Sequence, residues 1–335
     1  MRRLQVGGYR VDVLAMLGPV ADYAASLPAI REVTYAPLLD EGLRGIAALW
    51  RLRKRNYDMC VLPFPATRWQ YAAVARFIGA KRTVTHRYGG LSSFICATVR
   101  TKQVPLSGGH RLWENERLGD AVSLPHTKET AYVLPEAWRR PRISGLLGVH
   151  PGTMVYKGNE ARRWPFEHFV QLITSQLDRG RVVRVFFGPN ERPEEARLRA
   201  SVVDPRLETV ALSLAAAAQS LAECEVFVGN DAGFAHLASG LGVKTVVLFG
   251  MTNPVRALPV GEALALRPSE CPPCHDEGLR GFACVRNIGY RCLTRDLTVS
   301  AADAAVERAF ESSKITQQLE RAGPFRLYGR DRTPE

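Results

Sequence analysis

Residues 225–254, EVFVGNDAGFAHLASGLGVKTVVLFGMTNP, restrict the fold more than any other stretch. Val226, Phe227 and Val228 form a short apolar run that stops at Gly229-Asn230-Asp231, where turn residues take over. Phe234 to Leu241 carries the small and apolar residues of a short buried helix, and Lys244 to Phe249 is a second β-branched run closed by Gly250. The order is strand, tight polar turn, helix, strand. An Asp-Ala-Gly turn at a helix start offers backbone N–H groups and the positive end of the helix dipole, which suits a phosphate. Asp231 and His236 could then reach sugar hydroxyls beside it. A second reading fits the same residues, with Asp231 capping the helix and His236 a satisfied interior histidine.

The alternation continues through the whole chain. Tyr9–Leu17 reads as a strand, 20–26 as a short helix, Glu32–Tyr35 as a strand and Leu43–Arg55 as a helix. Strand Tyr57–Leu62, helix Trp69–Ile78 and a strand from Val84 follow. Pro135–Pro141, rich in proline and arginine, reads as a linker. A second series opens at Leu146–His150 and runs through helix Phe166–Leu177, strand Val182–Phe187 and helix Arg192–Arg199. Strand Glu208–Ala211 and helix Leu214–Cys224 then lead into the opening stretch, and helix Ala301–Phe310 comes last. The pattern predicts an α/β fold of two Rossmann-like, doubly wound domains, residues 1–140 and 141–313, with 314–335 an arm or tail. Their strand carboxyl ends are expected to face a common cleft, where ligands of open α/β sheets bind.

A chain of 335 residues has room for two such cores, and 46% hydrophobic with 23% charged residues is a globular composition. No apolar run approaches the ~20 residues of a membrane-spanning helix. Met1-Arg2-Arg3 is followed by no apolar signal core, so the expected location is cytoplasmic, with peripheral contact at the inner face of the membrane. The formal charge of +12 calls for an anionic partner. Positive charge reads as scattered, with clusters at Arg51–Arg55 and Arg139-Arg140 that fit solvated helix faces. Aromatic and basic residues do not interleave as base-stacking platforms require, so no nucleic-acid partner is expected. Cys60, Cys96 and Cys224 sit singly in apolar runs, as inert core residues do.

Five motifs in order carry a resemblance. They are His150-Pro-Gly-Thr153 with Lys157 and Arg162-Arg-Trp-Pro-Phe166; Phe187-Gly-Pro-Asn-Glu191; Gly229 to Ala238; Leu248-Phe-Gly-Met-Thr-Asn-Pro254; and Cys271-Pro-Pro-Cys274 with Cys284 and Cys292. Together they closely resemble glycosyltransferase family 9, the lipopolysaccharide heptosyltransferases. The resemblance implies the GT-B architecture and transfer of a heptose-like sugar, with inversion, from an ADP-heptose-like nucleotide-diphosphate donor. The acceptor would be a hydroxyl of an anionic glycolipid or another acceptor. It also implies roles. Thr153 and its neighbouring N–H groups would bind the diphosphate, Lys157 would neutralise charge there or touch the sugar, and Glu191 would take the ribose. Asp231 would bind donor hydroxyls, Ala232, Gly233 and Phe234 would offer backbone donors, and His236 would line the pocket. Fixed N–H dipoles and a cation can stabilise the departing diphosphate, so no catalytic cofactor is expected.

Three departures from the family pattern stand out. Ala232 replaces a hydroxyl residue, and Met251 and Asn253 replace Pro and Asp in the closing turn. The family's first strand, with the Gly-Asp loop that carries its general base, has no evident counterpart, so the N-terminal domain reads as truncated. Asp12 is a weak substitute because it lies inside an apolar run. A donor-binding homologue without turnover is therefore the competing expectation.

Cys271, Cys274, Cys284 and Cys292 have a spacing that suits four thiolates around one tetrahedral ion, with His275 able to replace one of them. Zinc or iron in a structural role is the expectation, since protein would fill all four positions. Arg280, Arg286, Arg291 and Arg295 would offset the thiolate charge or serve an anionic acceptor.

Overall fold

The computed structural model describes residues 1–38, 45–127, 132–153, 159–275 and 283–314, with the backbone of 318–322 and 328–329. The chain divides into two compact units, Met1–Thr130 and Ala131–Glu335.

The first unit begins with α1 (Arg2–Val6), β1 (Val11–Ala15), α2 (Gly18–Ala25), β2 (Ile30–Tyr35) and α3 (Ile46–Arg53). It continues with β3 (Met59–Val61), α4 (Trp69–Ile78), β4 (Arg82–Arg87), α5 (Gly90–Ile95), β5 (Thr101–Pro105) and α6 (Arg111–Ala121). Every strand pair is parallel, as helical crossovers require. The strands fall into two sheets, β1-β2 and β3-β4-β5. Among the described residues β1 and β3 each keep one edge without a strand partner, where a doubly wound sheet would hold a further strand. Polar side chains bridge this gap. Tyr57 Oη donates to Asp12 Oδ2 at 2.7 Å, and Arg55 reaches Asp12 at 3.0 Å and Glu32 at 2.6 Å. At the other end of the unit, buried Arg3 fastens α1 to α6. Its guanidinium donates to the carbonyls of Glu116 (2.8 Å), Leu124 (2.6 Å) and Pro125 (3.0 Å).

The second unit opens with β6 (Ile143–His150), α7 (Phe166–Asp178), β7 (Val182–Phe186), α8 (Arg192–Ser201), β8 (Leu207–Val210) and α9 (Leu214–Ala222). Next come β9 (Cys224–Asn230), α10 (Gly233–Gly240), β10 (Lys244–Leu248), α11 (Pro254–Ala257) and β11 (Ala263–Pro268). It closes with α12 (Arg291–Thr294), α13 (Val299–Glu311), β12 (Gln318–Ala322) and β13 (Tyr328–Gly329). The sheet order is β13-β12-β11-β10-β9-β6-β7-β8, parallel except for the last pair, β12 with β13. Val183, Val185, Val226, Val228, Val246 and Leu248 are fully buried, as strands covered on both faces must be. On α7, Phe169, Leu172, Ile173 and Leu177 recur at helical spacing and pack with Ala302, Ala305 and Val306 of α13 in one core. Burying each large side chain of that set contributes on the order of 1.5–3 kcal/mol.

Three features lie outside the simple sequence pattern. β6 starts at Ile143 rather than Leu146, because Gly145 (φ +74°) breaks the register between Ile143 and Leu147 without ending the pairing to β9. Pro135–Pro141 is not a free connection. Trp138 is buried beside α9, and Arg142 just beyond it donates to Leu241 O at 2.7 Å. The C-terminal arm supplies β12 and β13, which extend the sheet beyond β11; backbone pairing of this kind needs no side-chain periodicity.

Candidate functional site

The strand order reverses between β6 and β9, so their carboxyl ends lie side by side, with His150 in register with Gly229. A crevice outside such ends is where open α/β sheets bind ligands. Two glycines permit the close approach. A Cβ on Gly229 would stand 3.0 Å from His150 O, and one on Gly152 would stand 1.6 Å from Glu191 Oε1. Asn230, almost fully buried, ties the two strand ends together. Its Nδ2 donates to Pro151 O at 2.7 Å, and its Oδ1 accepts from Trp164 N at 2.8 Å. The Trp164 indole donates in turn to Leu297 O at 2.8 Å, so the arginine pair just before it enters on a fixed path.

Arg162 and Arg163 gather the carboxylates and hydroxyl of the site. Arg162 reaches Asp231 Oδ2 at 3.2 Å. Arg163 donates through Nε to Thr153 Oγ1 at 3.1 Å, and through one terminal nitrogen to Thr153 O at 2.8 Å and Glu191 Oε1 at 3.3 Å. Its other terminal nitrogen meets Glu194 at 3.2 Å. Glu191 also accepts from Gly188 N at 2.7 Å and faces His150 Nε2 at 3.3 Å. Burial alone would push the Glu191 carboxyl up. The His150, Gly188 and Arg163 interactions outweigh burial and hold it below the ordinary glutamate range. Glu191 is therefore an ionised acceptor.

α10 follows directly, with extended Ala232 at its N-cap. Gly233 has open space where a Cβ would be, and Phe234 packs on the rings of His150 (4.9 Å), Phe186 (5.2 Å) and Phe227 (6.1 Å). The N–H groups of this first turn have no intrahelical acceptor by geometry. Asp231 makes an ion pair rather than a cap. His236, one turn on, points to a different neighbour. Its Nδ1 lies 2.6 Å from Tyr132 Oη, which accepts from Val260 N at 3.2 Å.

Thr153, Glu191 and Asp231 are thus linked through two adjacent arginines, and Ala232, Gly233 and Phe234 border them. His236 shares the helix but is bonded elsewhere. Lys157 lies outside the described residues. Reasoning from sequence gave Arg162, Arg163, Asn230 and His150 no separate role, although all four stood inside the quoted motifs. Of the departures, Asn253 Oδ1 caps α11 through Val255 N at 3.0 Å. Met251 is buried, and its carbonyl accepts from Cys274 N (2.9 Å) and His275 N (3.0 Å).

That contact leads to the cysteine segment. Cys271 and Cys292 are buried and in hydrogen-bond contact. Burial first, then Cys271 and Cys274, pushes the Cys292 thiol up to about 12. Burial and its cysteine neighbours also raise Cys274. Cys284 moves down instead, because the N–H groups of Ile288, Tyr290, Arg286 and Asn287 surround its sulfur. Among the described residues, however, no three His, Cys, Asp or Glu side chains converge as a metal-binding group.

In the first unit, Asp12 is the second residue of β1, near the amino end of the strand and away from the ends where ligands bind. Its carboxyl is held down at about 2, chiefly by Arg31, with Tyr57 and Arg55 adding to the effect against burial. So weak a base is poorly matched to removing a hydroxyl proton near neutral pH.

Residues 46–277 match glycosyltransferase family 9 (heptosyltransferase). The chain is 25% identical over 286 residues to lipooligosaccharide heptosyltransferase 2 of Haemophilus influenzae, which covers 78% of this chain and 80% of that protein. Over 136 residues it is 33% identical to lipopolysaccharide heptosyltransferase 1 of Pseudomonas aeruginosa, 40% of this chain and 37% of that one. The solved structure of the Escherichia coli ADP-heptose LPS heptosyltransferase II shares the fold, with a TM-score of 0.67 and 18% identity over 92% of both chains.

Proposed function

The chain belongs to glycosyltransferase family 9, the heptosyltransferases, and from that premise we propose that it transfers heptose from ADP-heptose to a hydroxyl of an anionic, lipid-borne saccharide, inverting the anomeric carbon. The two linked arginines at the ends of β6 and β9 carry this reading. Six of the residues that the motifs nominate lie in or beside that group. The diphosphate is assigned to the Gly152–Thr153 turn and the first N–H groups of α10, with Arg162, Arg163 and Lys157 as cations. Negative charge grows on the diphosphate as the glycosidic bond breaks, and fixed cations and N–H dipoles stabilise that charge more than they stabilise the bound donor. Asp231 and ionised Glu191 accept from hydroxyls, Glu191 from those of the ribose.

For the cysteine segment we keep the reading of a structural thiolate-bound zinc or iron, supported by the N–H environment of Cys284 and the mutual proximity of the thiols. Such an ion would neutralise thiolates and tie the closing turn to α12; the transfer steps use the site residues alone.

Calorimetry with ADP-heptose and UDP-glucose tests the donor reading. ADP-heptose is expected to bind preferentially, with Asp231→Ala and Lys157→Ala each weakening it about tenfold or more at unchanged melting temperature. Unchanged affinity in both variants would dismiss the site. ADP-heptose binding with no ADP release in the presence of a lipid acceptor would instead mark a donor-binding homologue without turnover.

A further inference from the structure

Residues 45–105 hold eleven Lys and Arg against one acidic residue, Asp58, a net of +10 out of the +12 of the whole chain. The charge is therefore not scattered, as its visible clusters suggest. It is concentrated in one stretch: Arg51 and Arg53 lie on α3, Arg76 on α4, Lys54, Arg55, Arg68, Lys81 and Arg100 in the connections, and Arg82, Arg87 and Lys102 in β4 and β5. The crossovers β3-α4-β4 and β4-α5-β5 have one hand, which puts both helices on the same face of the three-stranded sheet. α4 packs beside α3 and beside α5, and Trp50 of α3 meets Phe77 of α4 edge-on at 5.1 Å, so the three helices form one layer.

The solvent side of this layer combines two properties. Large apolar side chains stand out from it: Trp50, Trp69, Leu91 and Phe94 are 52%, 48%, 55% and 77% exposed. In the same stretch Arg51, Lys54 and Arg76, on or just after α3 and α4, and Arg87, Arg100 and Lys102, which flank α5 in sequence, are exposed, and none of the six is in an ion pair among the described residues. The only acidic group of the stretch, Asp58, is already bound to Lys81 at 2.7 Å. Single exposed apolar residues need no explanation, but a group of them amid unpaired cations does.

We infer that the α3–α5 layer docks on an anionic lipid bilayer, with Leu91 and Phe94 entering the headgroup region. The two tryptophans sit at its level and the cations face lipid phosphates. Aromatic rings favour that interface, and clustered Lys and Arg are drawn to the negative surface potential of the cytoplasmic leaflet. A nucleic acid would use the same cations but would give Leu91 and Val99, both exposed, nothing to stack on. This surface has its purpose if the acceptor is lipid-borne, and in that sense it rests on the proposed transfer reaction. Its test needs neither donor nor acceptor, so the two readings can fail separately.

The full chain is sedimented with vesicles of phosphatidylcholine or of phosphatidylethanolamine and phosphatidylglycerol. Binding is expected to the anionic vesicles only and to fall as salt rises. Leu91→Ser with Phe94→Ser should cut partitioning about tenfold or more, and Arg87→Glu with Arg100→Glu should abolish it. Both variants should keep the circular dichroism spectrum and the nucleotide affinity of the parent. Three results would each overturn the inference. One is vesicle binding unchanged in both variants or absent in the parent. Another is equally salt-sensitive binding to single-stranded DNA that the same arginine variant removes. The third is self-association of the parent that the serine variant abolishes while vesicle binding persists.

Discussion

Asp12→Asn separates two uses of one carboxylate. In the structure it is an ion-pair hub: its side chain is 6% exposed and receives bonds from Arg31, Arg55 and Tyr57. Lowering its pKa from 3.8 to about 2 corresponds to roughly 2.4 kcal/mol at about 1.36 kcal/mol per unit. The side chains of Arg31 and Arg55 are 42% and 35% exposed, so water screens part of this and about 1–1.5 kcal/mol is the better expectation. The sign follows from a depressed pKa. The folded state binds this proton less readily than the unfolded chain, so the stabilisation is fully present above about 4. It is lost as pH falls toward 2. Urea denaturation of parent and variant at pH 7 and at pH 3 reads this directly. The gap between their midpoints should be clear at pH 7 and narrower at pH 3. Turnover of the folded variant should remain within a few-fold of the parent. An unchanged urea midpoint, with turnover lost and donor affinity kept, would make Asp12 a catalytic base and refute the ion-pair account.

Gly152→Ala would place a methyl group 1.6 Å from Glu191 Oε1, and a Glu191 held by three partners cannot swing away cheaply. The variant should lose about 1–3 kcal/mol of stability, the usual cost of overpacking, and most of its nucleotide affinity, both readable from melting curves with and without ADP. For the cysteine segment, elemental analysis should find about one zinc or iron per chain. Cys271→Ser should remove the ion and lower the melting temperature. A metal-free parent of undiminished stability would reduce the four thiols to packing.

The topology was legible because its signals are local. β-branched runs ended by Gly-Asn-Asp or Gly-Pro mark the strand ends at 230 and 186, and the spacing of Phe169, Leu172 and Ile173 marks the buried side of a helix. What the sequence hid is non-local. Nothing near Ile143 announces that it pairs with Cys224 across a bulge, and nothing in residues 318–322 announces a strand beside β11, because backbone bonds carry both pairings. Charge was misjudged for a related reason. Eleven cations spread over sixty-one residues look dispersed along a line, and come together only when the strands β3–β5, the helices α3–α5 and their connections fold into one unit.

The site shows the same division between what a motif names and what holds it. Thr153, Glu191 and Asp231 come from three different turns, and each was nominated as a ligand for the donor. In the structure each is held by an arginine of one dipeptide, Arg162-Arg163, whose position is set by Asn230 through Trp164 N. A carboxylate left bare in a crevice meant for a diphosphate would repel it. Paired with an arginine, the same carboxylate can accept from a sugar hydroxyl while the cation remains for the phosphates. On the proposed reading, Glu191 and Asp231 are the acceptors of the donor's hydroxyls, and the adjacent arginines explain how those acceptors can share a crevice with its phosphates.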